Sequence, residues 1–102
     1  MCIRDRDGGT GSEMIRRDVI YTGRVQGVGF RWTTNHIAKN YDVRGFVENR
    51  EDGSVYMVAE GTEKDVEEFM IAIAENMGKN IKETRVNQGR VDGDLTDFHV
   101  NY

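Results

Sequence analysis

Hydrophobic positions along the chain change their spacing several times, and each change marks a predicted element. Residues 19–22 (VIYT) are a β-branched and aromatic run, which predicts a strand that ends at Gly23. From Phe30 onward the spacing becomes helical, and this predicts a helix of about three turns with one buried stripe. The predicted stripe consists of Phe30, Thr34, Ile37, Ala38 and Tyr41.

A hairpin and a second helix follow. Residues 46–49 and 55–60 predict two strands, joined by a turn at residues 50–53 that contains Asp-Gly. Thr62 can cap the second helix, and Asp65 three residues later makes a near-match to a capping box. The predicted buried stripe of this helix consists of Val66, Phe69, Met70, Ile73 and Met77.

The end of the chain completes the sheet. Residues 81–91 predict a fourth strand with a bulge near Gly89, and Phe98, Val100 and Tyr102 alternate in a last strand. Two amphipathic helices and one sheet bury their stripes best as two layers with both helices on one face. We therefore predict an α+β fold, a ferredoxin-like βαββαβ two-layer sandwich with an antiparallel sheet. This architecture hosts many chemistries, so the fold alone does not define a function.

The first thirteen residues, MCIRDRDGGTGSE, differ from the rest of the chain. They show no hydrophobic period and are rich in glycine and charge, whereas Met14 opens the patterned part. We expect Met14 to be the natural start and residues 1–13 to be a disordered or non-native tail. Residues 14–102 are the right length for a single domain.

Composition excludes several classes of function. The net charge of −4 argues against nucleic acid as a partner. The single cysteine, Cys2, allows neither an intramolecular disulfide nor a cysteine metal site, and His36 and His99 have no ligand spacing around them. No stretch approaches the ~20 apolar residues of a membrane span, and the first residues lack the apolar segment of a signal peptide. We expect a cytoplasmic protein without a metal, a cofactor or a membrane partner.

The segment between the first strand and the first helix is the best candidate for a binding site. It comprises Gly23, Arg24, Val25, Gln26, Gly27, Val28, Gly29 and Phe30. Glycines let backbone N–H groups point into one concavity at a helix start, where the helix dipole also favours an anion. Arg31 can reach over that concavity with a fork of donors. Taken alone, the pattern is equally compatible with a plain tight connection, and it is neither a Walker loop nor a dinucleotide fingerprint.

The core of this segment, VQGVGFR, resembles the signature of the acylphosphatase family. A second match, Gly45-Phe46-Val47-Glu48-Asn49, is similar to the family's Gly-aromatic-Val-x-Asn strand. Further similarities are Asp52-Gly53, VAEG at residues 58–61, and the ending Phe98-x-Val100-x-Tyr102. The resemblance extends over residues 14–102, and two ordered motifs at the expected separation are far more specific than either motif alone.

The resemblance implies a function and assigns roles to residues. It implies a hydrolase that cleaves the carboxyl–phosphate bond of a small acyl phosphate without a cofactor. Apart from the resemblance, a small compact monomer is the simplest expectation for a chain of this size. The family's phosphate-binding arginine corresponds to Arg31, its water-positioning asparagine to Asn49, and its phosphate cradle to the backbone of residues 24–30. Glu48 departs from the family, which usually has arginine or lysine there, but strand alternation predicts that Glu48 faces away from Asn49.

Two aromatic residues after Arg31 have less specific predictions. We expect Trp32 to pack in the core, with a place in the acyl pocket as the alternative. We expect His36 to be a surface residue and not a catalyst.

Two other functions stay open at this point. One is a domain that handles carbamoyl phosphate, like the acylphosphatase-like domain of the hydrogenase-maturation carbamoyltransferase. The other is a non-catalytic RNA-recognition-type module, which shares the element order, although its central motif belongs on the third strand and not on the second.

Overall fold

The computed structural model describes residues 14–91 and 95–101. Its elements, in chain order, are β1 (Met14–Gly23), α1 (Phe30–Ala38), β2 (Val43–Asn49), β3 (Val55–Thr62), α2 (Glu63–Met77), β4 (Ile81–Gly89) and β5 (Phe98–Asn101). The predicted tail at residues 1–13 and the last predicted strand position, Tyr102, lie outside the described residues.

The five strands form one sheet in the order β4-β1-β3-β2-β5. Three of the four pairings are antiparallel, and the fourth, between β2 and β5, is parallel. The predicted α+β sandwich is therefore confirmed, with one difference from an all-antiparallel sheet. The difference has a topological cause: β4 runs opposite to β1 and β2, so a chain that reverses after β4 and joins the free edge of β2 runs parallel to it.

Strand β1 begins five residues earlier than the hydrophobic pattern predicts. The pattern does not indicate this first half of the strand, because its side chains on the sheet face away from the helices are polar. Arg16 donates from Nε to Asp18 Oδ1 (2.7 Å) and from Nη1 to Glu60 Oε2 (3.3 Å). The Tyr56 hydroxyl donates to Asp18 Oδ2 (3.1 Å). These side chains neutralise one another over the middle of the sheet, so a strand can run through charged residues.

The helical stripes and the inner sheet face make one core. On α1 the predicted Phe30, Thr34, Ile37 and Ala38 are buried, and on α2 Val66, Phe69, Ile73 and Met77 are buried. Tyr41 and Met70 are only partly buried and pack against this core. The sheet contributes Val19, Tyr21, Val47, Val55, Met57 and Ala59.

The central and edge strands differ in burial. On β3 the outward-facing Val58 and Glu60 are buried as well, because neighbouring strands flank β3 on both sides. Strand β4 is exposed along nearly its whole length, because it pairs only with β1 at the sheet edge. The bulge predicted near Gly89 is wrong: β4 ends there, and the register irregularity between β1 and β4 lies between Thr22 and Gly23.

The turn between β2 and β3 closes around Asp52, as the Asp-Gly pair predicts. Asp52 Oδ1 accepts hydrogen bonds from the backbone N–H and the hydroxyl of Ser54, and Gly53 has a φ of 93°. These bonds stabilise the ionised carboxylate. They lower the pKa of Asp52 below its ordinary value of 3.8, with the hydroxyl of Ser54 as the largest cause and its N–H as the next.

The lowered pKa of Asp52 predicts how the turn responds to acid. Because the folded-state pKa is below the unfolded one, the stabilisation is present above pH 3.8 and is lost as the pH falls through the folded value. An NMR titration of the Asp52 carboxyl should give a midpoint below 3.8. In Ser54→Ala, which keeps only the backbone donor, the midpoint should move upward. Identical midpoints in the two proteins would contradict the assignment.

Candidate active site

The C-terminal ends of β1 and β2 lie at the same end of the sheet. Both strands are antiparallel to β3, which lies between them, so they run in the same direction. Tyr21 on β1 and Asn49 on β2 both pair with Val55 on β3, and are therefore about 10 Å apart, two strand spacings. The glycine-rich loop leaves β1 just beyond Tyr21, so it begins close to the level of Asn49.

The loop is anchored at two buried apolar side chains and turns at two glycines. Val25 and Phe30 are both 1% exposed, and Phe30 packs against Tyr21 with a ring-centroid distance of 5.0 Å. Gly27 and Gly29 have φ values of 76° and 81°, in the left-handed region that favours glycine. A Cβ at either position would have nothing within 4 Å, so backbone conformation and not lack of space requires glycine there.

The N-terminus of α1 faces this loop with its N–H groups unused by a side-chain cap. Gly29 is the N-cap and makes no side-chain cap hydrogen bond, and the first turn contains no acidic residue. The first bond of the helix runs from Thr33 N to Gly29 O (2.9 Å). The N–H groups of residues 30–32 thus have no acceptor within the helix, which is the arrangement that binds anions.

Gln26 ties the loop to the hairpin that follows Asn49. Its side-chain Nε2 donates to Arg50 O (2.7 Å) and to Ser54 O (2.9 Å), so one amide bridges both sides of the β2–β3 turn. The family resemblance implies a role for the backbone of Gln26 only, so this side-chain contact is a feature that the sequence does not predict. No local pattern signals it, because its partners are backbone carbonyls more than twenty residues away in the chain.

A concavity of about 150 Å³ lies between the loop, the start of α1 and the end of β2. It is lined by Val25, Gly27, Gly29, Phe30, Arg31, Trp32 and Asn49. The structure therefore brings Arg31 and Asn49 together at one cavity. Four other residues of the predicted loop do not line it: Gly23, Arg24, Gln26 and Val28. Gly23 instead packs tightly on Asn80 and Lys82, where a Cβ would lie 2.5 Å from Asn80 O.

The two predicted functional side chains differ in their surroundings. Arg31 is half-buried, and its Nη1 donates to Asn101 O at the end of β5 (3.3 Å), which holds the guanidinium at the cavity. Asn49 Oδ1 is buried and accepts no hydrogen bond from the residues that the structure describes. A buried amide oxygen without a partner is uncommon, and a water or ligand donor in the cavity would satisfy it.

Glu48 lies on the opposite side of the sheet from Asn49, as alternation predicts. It pairs with Tyr56 on β3, and its Oε1 accepts a hydrogen bond from Asn101 Nδ2 (3.2 Å). The carboxylate that departs from the family pattern therefore does not line the cavity.

The expectation that Trp32 packs in the core is wrong. Its side chain is 69% exposed, and its indole stacks on the exposed His36 ring with centroids 5.1 Å apart and planes 5° apart. The cause is helical geometry: at 100° per residue, Trp32 lies about 200° around the helix from the buried Phe30. His36 is a surface residue, as predicted.

The described residues that line the cavity include one cation, Arg31, and no carboxylate, a composition that favours an anion. Among residues 14–91 and 95–101, no three His, Cys, Asp or Glu side chains converge in a way that could hold a metal ion. Within the same part of the chain, no helix is long and apolar enough to cross a membrane.

Fold and site together define a class: a ferredoxin-like sandwich with a glycine-rich loop at a helix start and an asparagine at the same cavity. The sequence profile of the Acylphosphatase family matches residues 17–100. The chain belongs to the acylphosphatase family. The predicted family and the predicted acylphosphatase enzyme are thereby confirmed.

Individual relatives agree with the family match. The acylphosphatase of Listeria welshimeri is 41% identical over 83 residues, which cover 79% of this chain and 89% of that protein. The crystal structure of the acylphosphatase from Bacillus subtilis has a TM-score of 0.76 at 30% identity, covering 86% of this chain and 99% of that one. Full-length HypF in its phosphate- and nucleotide-bound form has a TM-score of 0.73 at 29% identity; the match covers 97% of this chain but 13% of that one.

The contacts of Gln26 give a prediction about the loop. Gln26→Ala removes two neutral hydrogen bonds and should lower the free energy of unfolding by about 1–2 kcal/mol. Gln26→Glu also loses both donors and sets an ionised carboxylate against two carbonyl oxygens, so it should cost more than the alanine variant at neutral pH. Urea denaturation measures both values. A glutamate variant as stable as wild type would show that the side chain does not bridge the turn.

Proposed function

We propose that this protein hydrolyses acyl phosphates to a carboxylate and inorganic phosphate, with Arg31 binding the phosphate and Asn49 orienting the attacking water. The observation that carries the proposal is that the glycine loop, Arg31 and Asn49 line one small cavity. Membership of a family whose named relatives are acylphosphatases supports the same activity.

The phosphate would lie against the loop. Backbone N–H groups at the start of α1 and the helix dipole favour a tetrahedral dianion, and the Arg31 guanidinium adds charge-assisted donors. The contact from Arg31 Nη1 to Asn101 O fixes part of the guanidinium before substrate arrives. A preorganised set of donors needs little rearrangement as charge develops on the transferring phosphoryl group.

Asn49 is suited to placing water. Its Oδ1 can accept a hydrogen bond from the water, and an amide offers donors to the phosphate as well. An amide is not basic near neutral pH, so Asn49 aligns the water and does not deprotonate it. The proton passes to a phosphate oxygen of the substrate or to bulk water.

The chemical step then balances without a protein nucleophile. The water oxygen forms a bond to phosphorus while the bond from phosphorus to the acyl oxygen breaks, and the carboxylate leaves with the electron pair. A carboxylate is a good leaving group and needs little protonation, so positioning and charge neutralisation provide most of the catalysis.

We propose that the reaction needs no metal ion or cofactor. The donors around the cavity are N–H groups and a guanidinium, which neutralise phosphate charge in the way that a bound cation would. Among residues 14–91 and 95–101, no carboxylate lines the cavity to hold a hard cation such as Mg²⁺.

The first test is hydrolysis of benzoyl phosphate, followed by ultraviolet absorbance with a chelator present. Arg31→Ala should lower kcat/KM by about 10³-fold or more, because it removes the side-chain cation of the site. Asn49→Ala should lower kcat by about 10²-fold, the effect of losing one well-placed polar group. Circular dichroism should show that both variants are folded.

Matched controls come from the exposed edge strand. Arg85→Ala and Asn87→Ala remove the same side-chain types from β4, away from the cavity, and should retain wild-type activity. Wild-type turnover that disappears with chelator would contradict the metal-free mechanism. Full activity in Arg31→Ala would contradict the proposed phosphate site.

The absence of a nucleophile predicts the stereochemistry. No Ser, Cys or His lines the cavity among the described residues, so we expect direct attack by water without a phosphoenzyme. A substrate with a chiral, isotopically labelled phosphoryl group should give phosphate of inverted configuration. Retention would require a covalent intermediate and a different mechanism.

Carbamoyl phosphate is a second candidate substrate. The sequence resemblance leaves this substrate open, and the structural similarity to one part of the longer HypF chain supports testing for a specialised domain of this size. The benzoyl phosphate assay distinguishes the candidates when carbamoyl phosphate is run in parallel, because a specialised domain would turn over the carbamoyl compound preferentially.

Monomeric state, cytoplasmic location and the lack of nucleic-acid binding stay predictions.

A further inference from the structure

We propose that Trp32, supported by His36, contacts the acyl group of the substrate, so that the enzyme prefers acyl phosphates with an aromatic or large apolar acyl group. The inference rests on the proposed function, because it assigns a place to the part of the substrate that the phosphate site leaves undescribed.

Trp32 is both exposed and part of the site. It follows Arg31 directly in the first turn of α1 and lines the same cavity as Arg31 and Asn49. Its side chain is 69% exposed, the highest value among the exposed large hydrophobic residues of the described chain. A single exposed apolar residue is ordinary on a protein surface, but this one lies at the cavity that also contains Arg31 and Asn49.

The indole is held in place by a ring that packs on it. His36 lies one helical turn after Trp32, and the two rings are parallel to within 5° with centroids 5.1 Å apart. Side chains on a helix lean toward its N-terminus, which directs Trp32 toward the loop and the cavity. Within the described residues His36 is the only ring that stacks on the indole, so the second face of the indole can receive another flat group.

The direction of the reaction brings the acyl group to this rim. In-line displacement requires the attacking water and the leaving carboxylate to lie on opposite sides of phosphorus. Asn49 approaches the cavity from β2, whereas Trp32 approaches from α1. A water held by Asn49 therefore directs the leaving group toward the α1 side, and a cavity of about 150 Å³ that encloses the phosphate leaves the acyl group to project past it.

The chemistry of the contact favours flat or large apolar groups. An aromatic acyl group can stack on the indole, whereas an acetyl group offers a single methyl. Aromatic pairing adds to simple burial of apolar area, and corresponds to about a fivefold effect on binding for one pair. Because the contact is made by the ground-state substrate as well, it should appear mainly in KM.

The test compares benzoyl phosphate with acetyl phosphate in wild type, Trp32→Ala and Trp32→Phe. Trp32→Ala should raise KM for benzoyl phosphate about fivefold or more while changing KM for acetyl phosphate less than about twofold. Trp32→Phe keeps a flat ring and should restore most of the preference. The matched control is Ile71→Ala, which removes an apolar side chain that is 58% exposed on α2, and it should change neither KM.

A second measurement does not depend on turnover. Trp32 is the only tryptophan of the chain, so its fluorescence reports on this position directly. Benzylphosphonate, a stable aromatic phosphonate, should change the emission of wild type more strongly than inorganic phosphate does at equal occupancy. Equal changes with the two ligands would overturn the proposed acyl contact.

The outcomes separate this inference from the proposed function. If wild type hydrolyses both substrates and Trp32→Ala weakens them equally, or weakens neither, the acyl contact is overturned while the hydrolase remains. If folded wild type hydrolyses neither substrate, the proposed function itself fails. Loss of the benzoyl preference in Trp32→Ala, with its return in Trp32→Phe, would support the contact.

Discussion

The antiparallel pairing of β3 with both of its neighbours is the constraint on which the site depends. Because β1 and β2 are each antiparallel to β3, their C-terminal ends lie at the same end of the sheet. There, Tyr21 and Asn49 flank Val55. Strand β5 is parallel to β2 and terminates there too, which places Asn101 O within reach of Arg31. Three segments that are distant in sequence thus supply the loop, the asparagine and the support of the arginine.

The position of the loop at this end of the sheet does not by itself fix its conformation, because a loop with two glycines at positive φ is intrinsically free to move. The structure restrains it from both sides. Val25 and Phe30 bury their side chains in the core below the loop, and Gln26 binds the two carbonyls of the β2–β3 turn above it. The same turn follows Asn49 directly, so the glycine-rich loop and Asn49 are fixed relative to each other through one side chain.

Much of the fold could be predicted because apolar spacing reflects burial, as in the stripes of both helices. The polar start of β1 could not, since Arg16 and Asp18 find their partners only on the folded sheet. The motif resemblance predicts Arg31 and Asn49 as site residues, and both line one cavity. The bridging contact of Gln26 could not be predicted, because it depends on carbonyls distant in sequence. The exposure of Trp32 follows from helix geometry, because its angle from Phe30 places it outside the buried stripe.

The net charge of −4 shows why composition is a poor guide to the ligand of such a site. Acidic residues in the first turn of α2, Glu63 and Asp65, stabilise the N-terminus of that helix, whereas the first turn of α1 contains none. The two helix starts are chemically opposite. The first turn of α2 contains carboxylates that compensate its N–H groups, whereas the first turn of α1 presents its N–H groups and Arg31 to the cavity. An anion at the start of α1 would be influenced mainly by these nearby groups, because dissolved ions screen charges that lie farther away than about 8–10 Å.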